Sequence, residues 1–163
     1  ILTEYMERFL RETEYSCCIP LRRTLKLGPE KTEEIEYFEK YKIDKVADIY
    51  KNDIEEMTTY NLMYNSKVSV SGITSSLYEG FGWGKKILYC NFVGIKNFEF
   101  PLKRLYALER KSYSNFRKTL INLIEMDQRE YYELTKEDRK HIMNYNKHYP
   151  SHSVVRDFVL KHI

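Results

Sequence analysis

Strand-like runs alternate with helical patterns along the chain up to residue 92. The strand candidates are short segments of apolar and β-branched residues at 15–21, 45–50, 68–71 and 87–92. Segments whose apolar residues recur at helical spacing precede the first three, at 2–13, 32–41 and 54–64. Helices that alternate with strands are typical of a parallel sheet with helices on its faces. We therefore predict a Rossmann-like α/β fold with an open parallel sheet.

The pattern changes in the second part of the chain, which is mostly helical from Pro101 onward. The predicted helices are 112–126, 127–134, 135–145 and 153–163. Asp127 is a favoured N-cap residue for the second of these, and Thr32 has the same role for the helix at 32–41. We expect an α/β body of residues 1–100 followed by a helical tail of residues 101–163.

The length of 163 residues, 42% of them hydrophobic, suits one compact domain better than two. The first residue is Ile1, and the segment 1–10 already has the pattern of the middle of an amphipathic helix. We therefore expect residues 1–163 to form a single domain that is part of a longer, two-domain protein.

Charge and hydropathy argue against two classes of partner. The 27 basic and 24 acidic residues give a net charge of +3 and are mixed along the chain, whereas a nucleic-acid surface gathers basic residues on one face. No apolar run approaches the roughly 20 residues that cross a bilayer. We expect no nucleic-acid partner and no transmembrane helix.

Three cysteines indicate the compartment. Cys17 and Cys18 are adjacent in one apolar segment, and Cys90 lies in another. This distribution suits buried thiols in a reducing compartment better than a disulfide framework. We therefore expect a cytoplasmic protein.

The histidines of the tail do not have a spacing that predicts a metal site. His148 and His152 are four residues apart, a spacing that places two ligands on one helix face, but Pro150 lies between them and breaks that geometry. We expect no metal site and no cofactor.

The segment 71–86, SGITSSLYEGFGWGKK, combines small hydroxyl residues with glycines between two strand candidates. We predict that a helix begins within it, at the carboxyl end of a strand, where open α/β sheets bind ligands. The unpaired N–H groups of a helix start, joined by the hydroxyls of Thr74, Ser75 and Ser76, are suited to bind phosphate. Gly72 would let the backbone approach the ligand closely. Glu79, one helical turn further on, would accept hydrogen bonds from sugar hydroxyls.

Two known phosphate-binding motifs do not fit this segment, whereas simple helix capping does. Its glycine and lysine spacing does not fit a P-loop, and Gly80, Gly82 and Gly84 come too late for a dinucleotide fingerprint. Serine and threonine are also preferred N-cap residues, so capping alone explains SGITSS about as well as a phosphate site does.

A family resemblance favours the phosphate site. The run 68–92, VSVSGITSSLYEGFGWGKKILYCNF, resembles the signature of the nucleotide-binding C-terminal domain of GT-B glycosyltransferases, above all the enzymes of bacterial O-antigen and capsule synthesis. The likeness implies that Thr74 and Ser75 bind the donor diphosphate, and that Glu79 binds the ribose or the sugar of the donor. This run departs from the family pattern at Lys86, which follows Gly84-Lys85 where a proline is usual.

The resemblance is weaker upstream and covers roughly residues 15–95. The segment 53–66 resembles the helix that precedes the signature strand, and 18–23 resembles a strand that ends in a basic residue near the donor phosphates. This implies that Arg22 or Arg23 contacts phosphate, although two arginines at a strand exit are more often simply solvated.

The function implied is donor binding in a two-domain glycosyltransferase. The partners would be a nucleotide-sugar donor and an N-terminal acceptor domain, without which the chain would be inactive. A lipid-linked acceptor would bring the protein to the inner face of the membrane. The alternatives are a polyol-phosphate transferase with a cytidine donor, and a non-catalytic interaction domain that retains the fold.

Overall fold

The computed structural model describes residues 1–21, 33–96, 99–101, 106–142 and 151–162. The helices are α1 (Leu2–Glu12), α2 (Glu33–Lys40), α3 (Thr58–Asn65), α4 (Ser75–Gly82), α5 (Tyr113–Glu125), α6 (Gln128–Leu134), α7 (Lys136–Ile142) and α8 (Ser151–His162), with a 3-10 turn at Ile43–Lys45. The strands are β1 (Cys18–Pro20), β2 (Asp48–Tyr50), β3 (Ser69–Ser71), β4 (Ile87–Cys90) and β5 (Ala107–Leu108).

All described strand pairs are parallel, which confirms the Rossmann-like α/β fold with flanking helices and a helical tail. β1 pairs with β2, and a second sheet has the order β3-β4-β5. Val70 of β3 pairs with Leu88 of β4 in the second sheet, and Ile19 pairs with Ile49 in the first. The strands thus form two small sheets rather than the continuous open sheet that the alternating pattern predicts.

β4 is the centre of the hydrophobic core. Its four residues, ILYC, are all buried, as expected for a strand that is covered on both faces. Phe81 of α4, Phe116 of α5 and Tyr131 of α6 are fully buried against the same core. Helices from the body and from the tail therefore cover β4 from both sides.

The helical tail is held to the body by polar contacts, of which the one made by Tyr131 is buried. The hydroxyl of Tyr131 accepts a hydrogen bond from the backbone N–H of Ile87 at 3.3 Å. The side-chain amide of Gln128 donates to the carbonyl of Gly84 at 2.8 Å, and the Lys86 ammonium donates to the carbonyl of Met126. These contacts connect α6 and its preceding turn to the α4–β4 turn.

The structure adds one strand to the predicted elements and moves the start of one helix. The segment after Pro101 is mostly helical, as predicted, and also contributes the short strand β5 to the second sheet. α3 begins at Thr58 rather than near residue 54, since the Asp53 carboxylate accepts hydrogen bonds from two backbone N–H groups in a turn and Met57 has a left-handed conformation (φ 48°). The predicted helix 135–145 is observed as Lys136–Ile142, and its last residues lie outside the described part of the chain.

The cysteines only partly follow the prediction. Cys90 is buried and Cys17 is half-buried, but Cys18 is exposed, which corrects the expectation of three buried thiols. All three are free. Among the described residues, no helix has the length and hydropathy that a bilayer span requires. Thr32 lies outside the described residues.

Candidate functional site

The turn between β3 and α4 contains the residues that the sequence analysis predicts to bind phosphate. β3 ends at Ser71, and α4 begins at Ser75 with Thr74 as its N-cap residue. Ligands of open α/β sheets bind at the carboxyl ends of parallel strands. The structure therefore brings Gly72, Thr74, Ser75 and Ser76 together at the edge of the sheet where such ligands bind.

The start of α4 is not capped by its own N-cap side chain. Thr74 has extended backbone angles (φ −153°, ψ 139°) that are typical of an N-cap residue. Among the described residues, however, its side chain makes no capping hydrogen bond. Instead, Thr74 Oγ1 and Ser76 Oγ lie 2.9 Å apart and share a hydrogen bond. The first N–H groups of a helix have no partner within the helix, so those of α4 are not satisfied by Thr74.

Two other helices of this protein, unlike α4, are capped by the side chains of their N-cap residues. The Ser112 hydroxyl accepts a hydrogen bond from the N–H of Asn115 at the start of α5. The Asp127 carboxylate accepts two from the backbone at the start of α6, at 2.8 and 3.2 Å, which confirms its predicted role as N-cap. Simple capping, the alternative interpretation of SGITSS, therefore does not describe the side-chain geometry of α4.

Gly72 lies in the turn between β3 and α4 without the positive φ that favours glycine. Its φ is not in the left-handed region, so the turn does not require the conformational freedom of glycine. A Cβ atom added at this position would lie 3.4 Å from the carbonyl oxygen of Cys90, an ordinary contact distance. The turn therefore has room for a Cβ atom on the side of β4, and the close approach of the backbone to a ligand at Gly72 stays a prediction.

Glu79 is held by an aromatic side chain from the neighbouring helix. Its Oε2 accepts a hydrogen bond from the Tyr60 hydroxyl at 2.7 Å. This hydrogen bond raises the pKa of Tyr60, because ionisation would place a second negative charge beside the carboxylate. The Tyr60 ring also contacts Trp83, with ring centroids 5.7 Å apart. The carboxylate is therefore fixed in place one helical turn beyond the uncapped helix start.

The predicted hydroxyl residues Thr74, Ser75 and Ser76 line one large cleft together with Glu79, whereas Gly72 does not. The volume of the cleft is about 1580 Å³, and its walls come from α1, α2, α3, α4, α5, β1, β3 and β4. Small-molecule sites commonly occupy about 300–1,000 Å³. The cleft therefore has room for a ligand of the size of a nucleotide sugar.

Positive charge is scarce around this cleft. Lys67 is the single lysine or arginine among the described residues that line it, and it precedes β3, at the opposite end of the strand from Thr74. Arg22 and Arg23, the predicted phosphate contacts, lie outside the described residues. In the described part of the site, an anion would thus be bound by N–H groups, hydroxyls and the dipole of α4.

No metal-binding group appears in the part of the chain that the structure describes, where no three His, Cys, Asp or Glu side chains cluster suitably. His148, one member of the predicted histidine pair, lies outside the described residues, as does the side chain of His152.

Tyr60 and Trp83 are neighbours of the site that the sequence analysis did not identify. The hydrogen bond from Tyr60 to Glu79 joins residues 19 positions apart in the sequence. A pattern of neighbouring residues cannot predict such a contact. A usable signal for Trp83 is its position four residues after Glu79, which places both side chains on one face of a helix.

Comparisons with known proteins identify no family: no protein-family model matches the chain, and neither does any curated protein or any solved structure.

Proposed function

We propose that this chain is the donor-binding domain of a GT-B type glycosyltransferase that acts in the synthesis of a bacterial surface polysaccharide. The donor would be a nucleotide sugar, with its diphosphate at the start of α4. The acceptor would bind to an N-terminal domain of the same protein. The proposal includes a cytoplasmic location at the inner face of the membrane, where a lipid-linked acceptor is accessible.

One observation carries this proposal more than any other: the uncapped start of α4 faces a large cleft at the carboxyl end of β3. A helix start of this kind is favourable for an anion because its first N–H groups have no partner within the helix and its dipole is positive there. The carboxylate of Glu79 lines the same cleft one turn further along α4, where it would accept hydrogen bonds from the hydroxyls of the donor.

The same geometry suits the chemistry of sugar transfer. When the bond between the sugar and the donor phosphate breaks, negative charge develops on the departing diphosphate. N–H groups and hydroxyls that are already aimed at that position stabilise the charge without reorganising. Thr74, Ser75 and Ser76 would supply this stabilisation, and the catalytic base would come from the acceptor domain.

A thermal-shift panel of UDP, GDP, CDP, CMP, ADP and TDP against this chain tests the proposal. A ligand at 100 times its dissociation constant adds about 2.7 kcal/mol of stability, which corresponds to a rise in Tm of roughly 5–10 °C for a domain of this size. We expect at least one nucleotide to give such a rise. Stabilisation by CDP and CMP above the others would identify the polyol-phosphate transferase with a cytidine donor.

Two variants test whether nucleotide binding depends on the carboxylate of Glu79. Glu79→Gln is expected to remove most of the shift, because the neutral amide accepts hydrogen bonds more weakly than a carboxylate. Glu125→Gln makes the same chemical change at an exposed position of α5 that does not line the cleft, and it should keep the full shift. If none of the six nucleotides stabilises the chain, donor binding is wrong and the non-catalytic interaction domain is favoured.

A further inference from the structure

Trp83 is unusually exposed for a tryptophan beside a core helix. It follows directly after α4, and 45% of its surface is accessible. One side of the indole contacts the Tyr60 ring, at a centroid distance of 5.7 Å and an interplanar angle of 50°. Large aromatic side chains gain stability by burial, so an exposed tryptophan held in place by a second ring is a surface suited to stacking.

Trp83 extends the face of α4 that carries Ser75 and Glu79, and it lies beyond the residues that line the cleft. Ser75, Glu79 and Trp83 are spaced four residues apart, and side chains at this spacing lie on one face of a helix. Tyr60 confirms the common face, because its hydroxyl bonds Glu79 while its ring contacts Trp83. Each step of four residues advances about 6 Å along the helix axis.

The order of chemical groups along this face follows the order of groups in a nucleotide. The helix start at Ser75 suits phosphate, the carboxylate of Glu79 suits the hydroxyls of a ribose, and the ring of Trp83 suits a planar base. Glu79 Oε2 is occupied by the Tyr60 hydroxyl, while no hydrogen bond to Oε1 is found among the described residues. Oε1 therefore remains available to a ligand.

We propose that Trp83, supported by Tyr60, is the stacking platform for the base of a nucleoside diphosphate that lies along α4 from Ser75 to Trp83. This inference rests on the proposed function and adds the position of the base and the orientation of the ligand. Tyr60 is a positioning residue in this arrangement, because it fixes both the carboxylate and the indole without itself contacting the phosphates.

The chain offers a direct optical test, since Trp83 is its one tryptophan. Emission excited selectively in tryptophan therefore reports on this side chain alone. We expect any nucleotide that raises the Tm in the six-member panel to quench or shift the emission as it saturates the site. Inorganic pyrophosphate, which carries the phosphates without a base, should leave the emission unchanged. A nucleotide that binds without altering the emission would overturn the stacking arrangement.

Binding affinities separate the base platform from the rest of the site. Stacking of a base on an aromatic side chain is worth a factor of roughly 5–150 in affinity, so Trp83→Ala should weaken nucleotide binding by a factor in that range in calorimetric titrations. Trp83→Phe should restore part of the affinity. Tyr64→Ala removes another exposed ring of α3 (71% accessible) and should bind like the wild type.

The outcomes distinguish failure of this inference from failure of the proposed function. If Glu79→Gln loses nucleotide binding while Trp83→Ala keeps wild-type affinity, the base does not stack on Trp83, but the chain still binds a donor. If no nucleotide binds the wild type in either assay, both proposals are wrong. Circular dichroism of Trp83→Ala should match the wild type, because the exposed ring contributes little to the core.

Discussion

The two sheets of this protein differ in how completely they are buried. In the sheet β3-β4-β5, every residue of β4 is buried, and helices of the body and the tail cover it. In the sheet β1-β2, by contrast, no residue of either strand is fully buried. β4 is thus the centre of a packed core, whereas β1, like β3, lies in the wall of the open cleft.

The difference in burial indicates that stability and ligand binding depend on different parts of the molecule. The α4–β4 turn is held by hydrogen bonds from α6 and by the buried side chain of Arg139. α4 therefore has a rigid base at its C-terminal end, while its N-terminal end opens into the cleft. A binding site is best built in this way, because groups placed on a rigid element keep their positions when the ligand arrives.

The largest expected effect is the contrast between core positions of the two sheets. Leu88→Ala in β4 removes a fully buried side chain and should lower the free energy of unfolding by about 2–5 kcal/mol. Ile19→Ala in β1 removes a half-buried one and should cost less than about 2 kcal/mol. Urea denaturation at equilibrium measures both. Equal losses would mean that the sheet at the cleft is packed as tightly as the core.

Much of this contrast could be predicted from the sequence. The run ILYC is apolar throughout, which is the pattern of a strand covered on both faces, and it is the fully buried β4. The stripe of apolar residues from Leu2 to Leu10 likewise predicts α1 with its correct start. Continuous or periodic apolar patterns are reliable because burial itself selects them.

The division into two sheets could not be predicted, because it depends on how far β1 lies from β3 rather than on any local pattern. β5 was missed for a related reason: two residues, Ala107 and Leu108, are too short to show a period. At the candidate site, the sequence correctly predicted the start of α4, while the ligand contacts of the hydroxyl residues and of Glu79 stay predictions. It did not locate Tyr60, whose contact with Glu79 exists only after α3 and α4 have packed together.

A substitution in the α4–β4 turn tests whether the C-terminal end of α4 is held rigidly. Gly84 has φ +81°, and a Cβ added there would lie 2.5 Å from Arg139 Nη1 and 2.7 Å from the Tyr132 ring. Gly84→Ala should therefore cost about 2–4 kcal/mol, as the sum of backbone strain and overpacking. Thermal and urea unfolding measure the loss.

Gly94 separates the two contributions, since its φ is also positive (+71°) but a Cβ would meet no atom within 4 Å. Gly94→Ala should cost only about 1 kcal/mol, from the backbone alone. If the two variants lose equal stability, the tail helices do not press on the α4–β4 turn, and the rigid base assigned to α4 is wrong.

The smallest expected effect concerns pH and the buried thiol of Cys90. Burial raises the pKa of this thiol from 9.0 to about 12, because the thiolate would lose its hydration. The folded state thus keeps the proton while the unfolded state loses it above pH 9. The contribution of this thiol to stability is fully present below pH 9 and declines as pH rises towards 12, by about 1 kcal/mol between pH 9 and 10.

Urea unfolding at pH 8, 9 and 10 measures this decline, and two variants test its origin. Cys90→Ala should make the pH dependence flatter, although its stability at pH 8 will be lower because a small cavity forms. Cys18→Ala, at an exposed position of β1, should keep the decline because the Cys90 thiol remains. If the decline is unchanged in Cys90→Ala, water reaches β4 in the folded state, and the contrast between a closed core and an open cleft no longer holds.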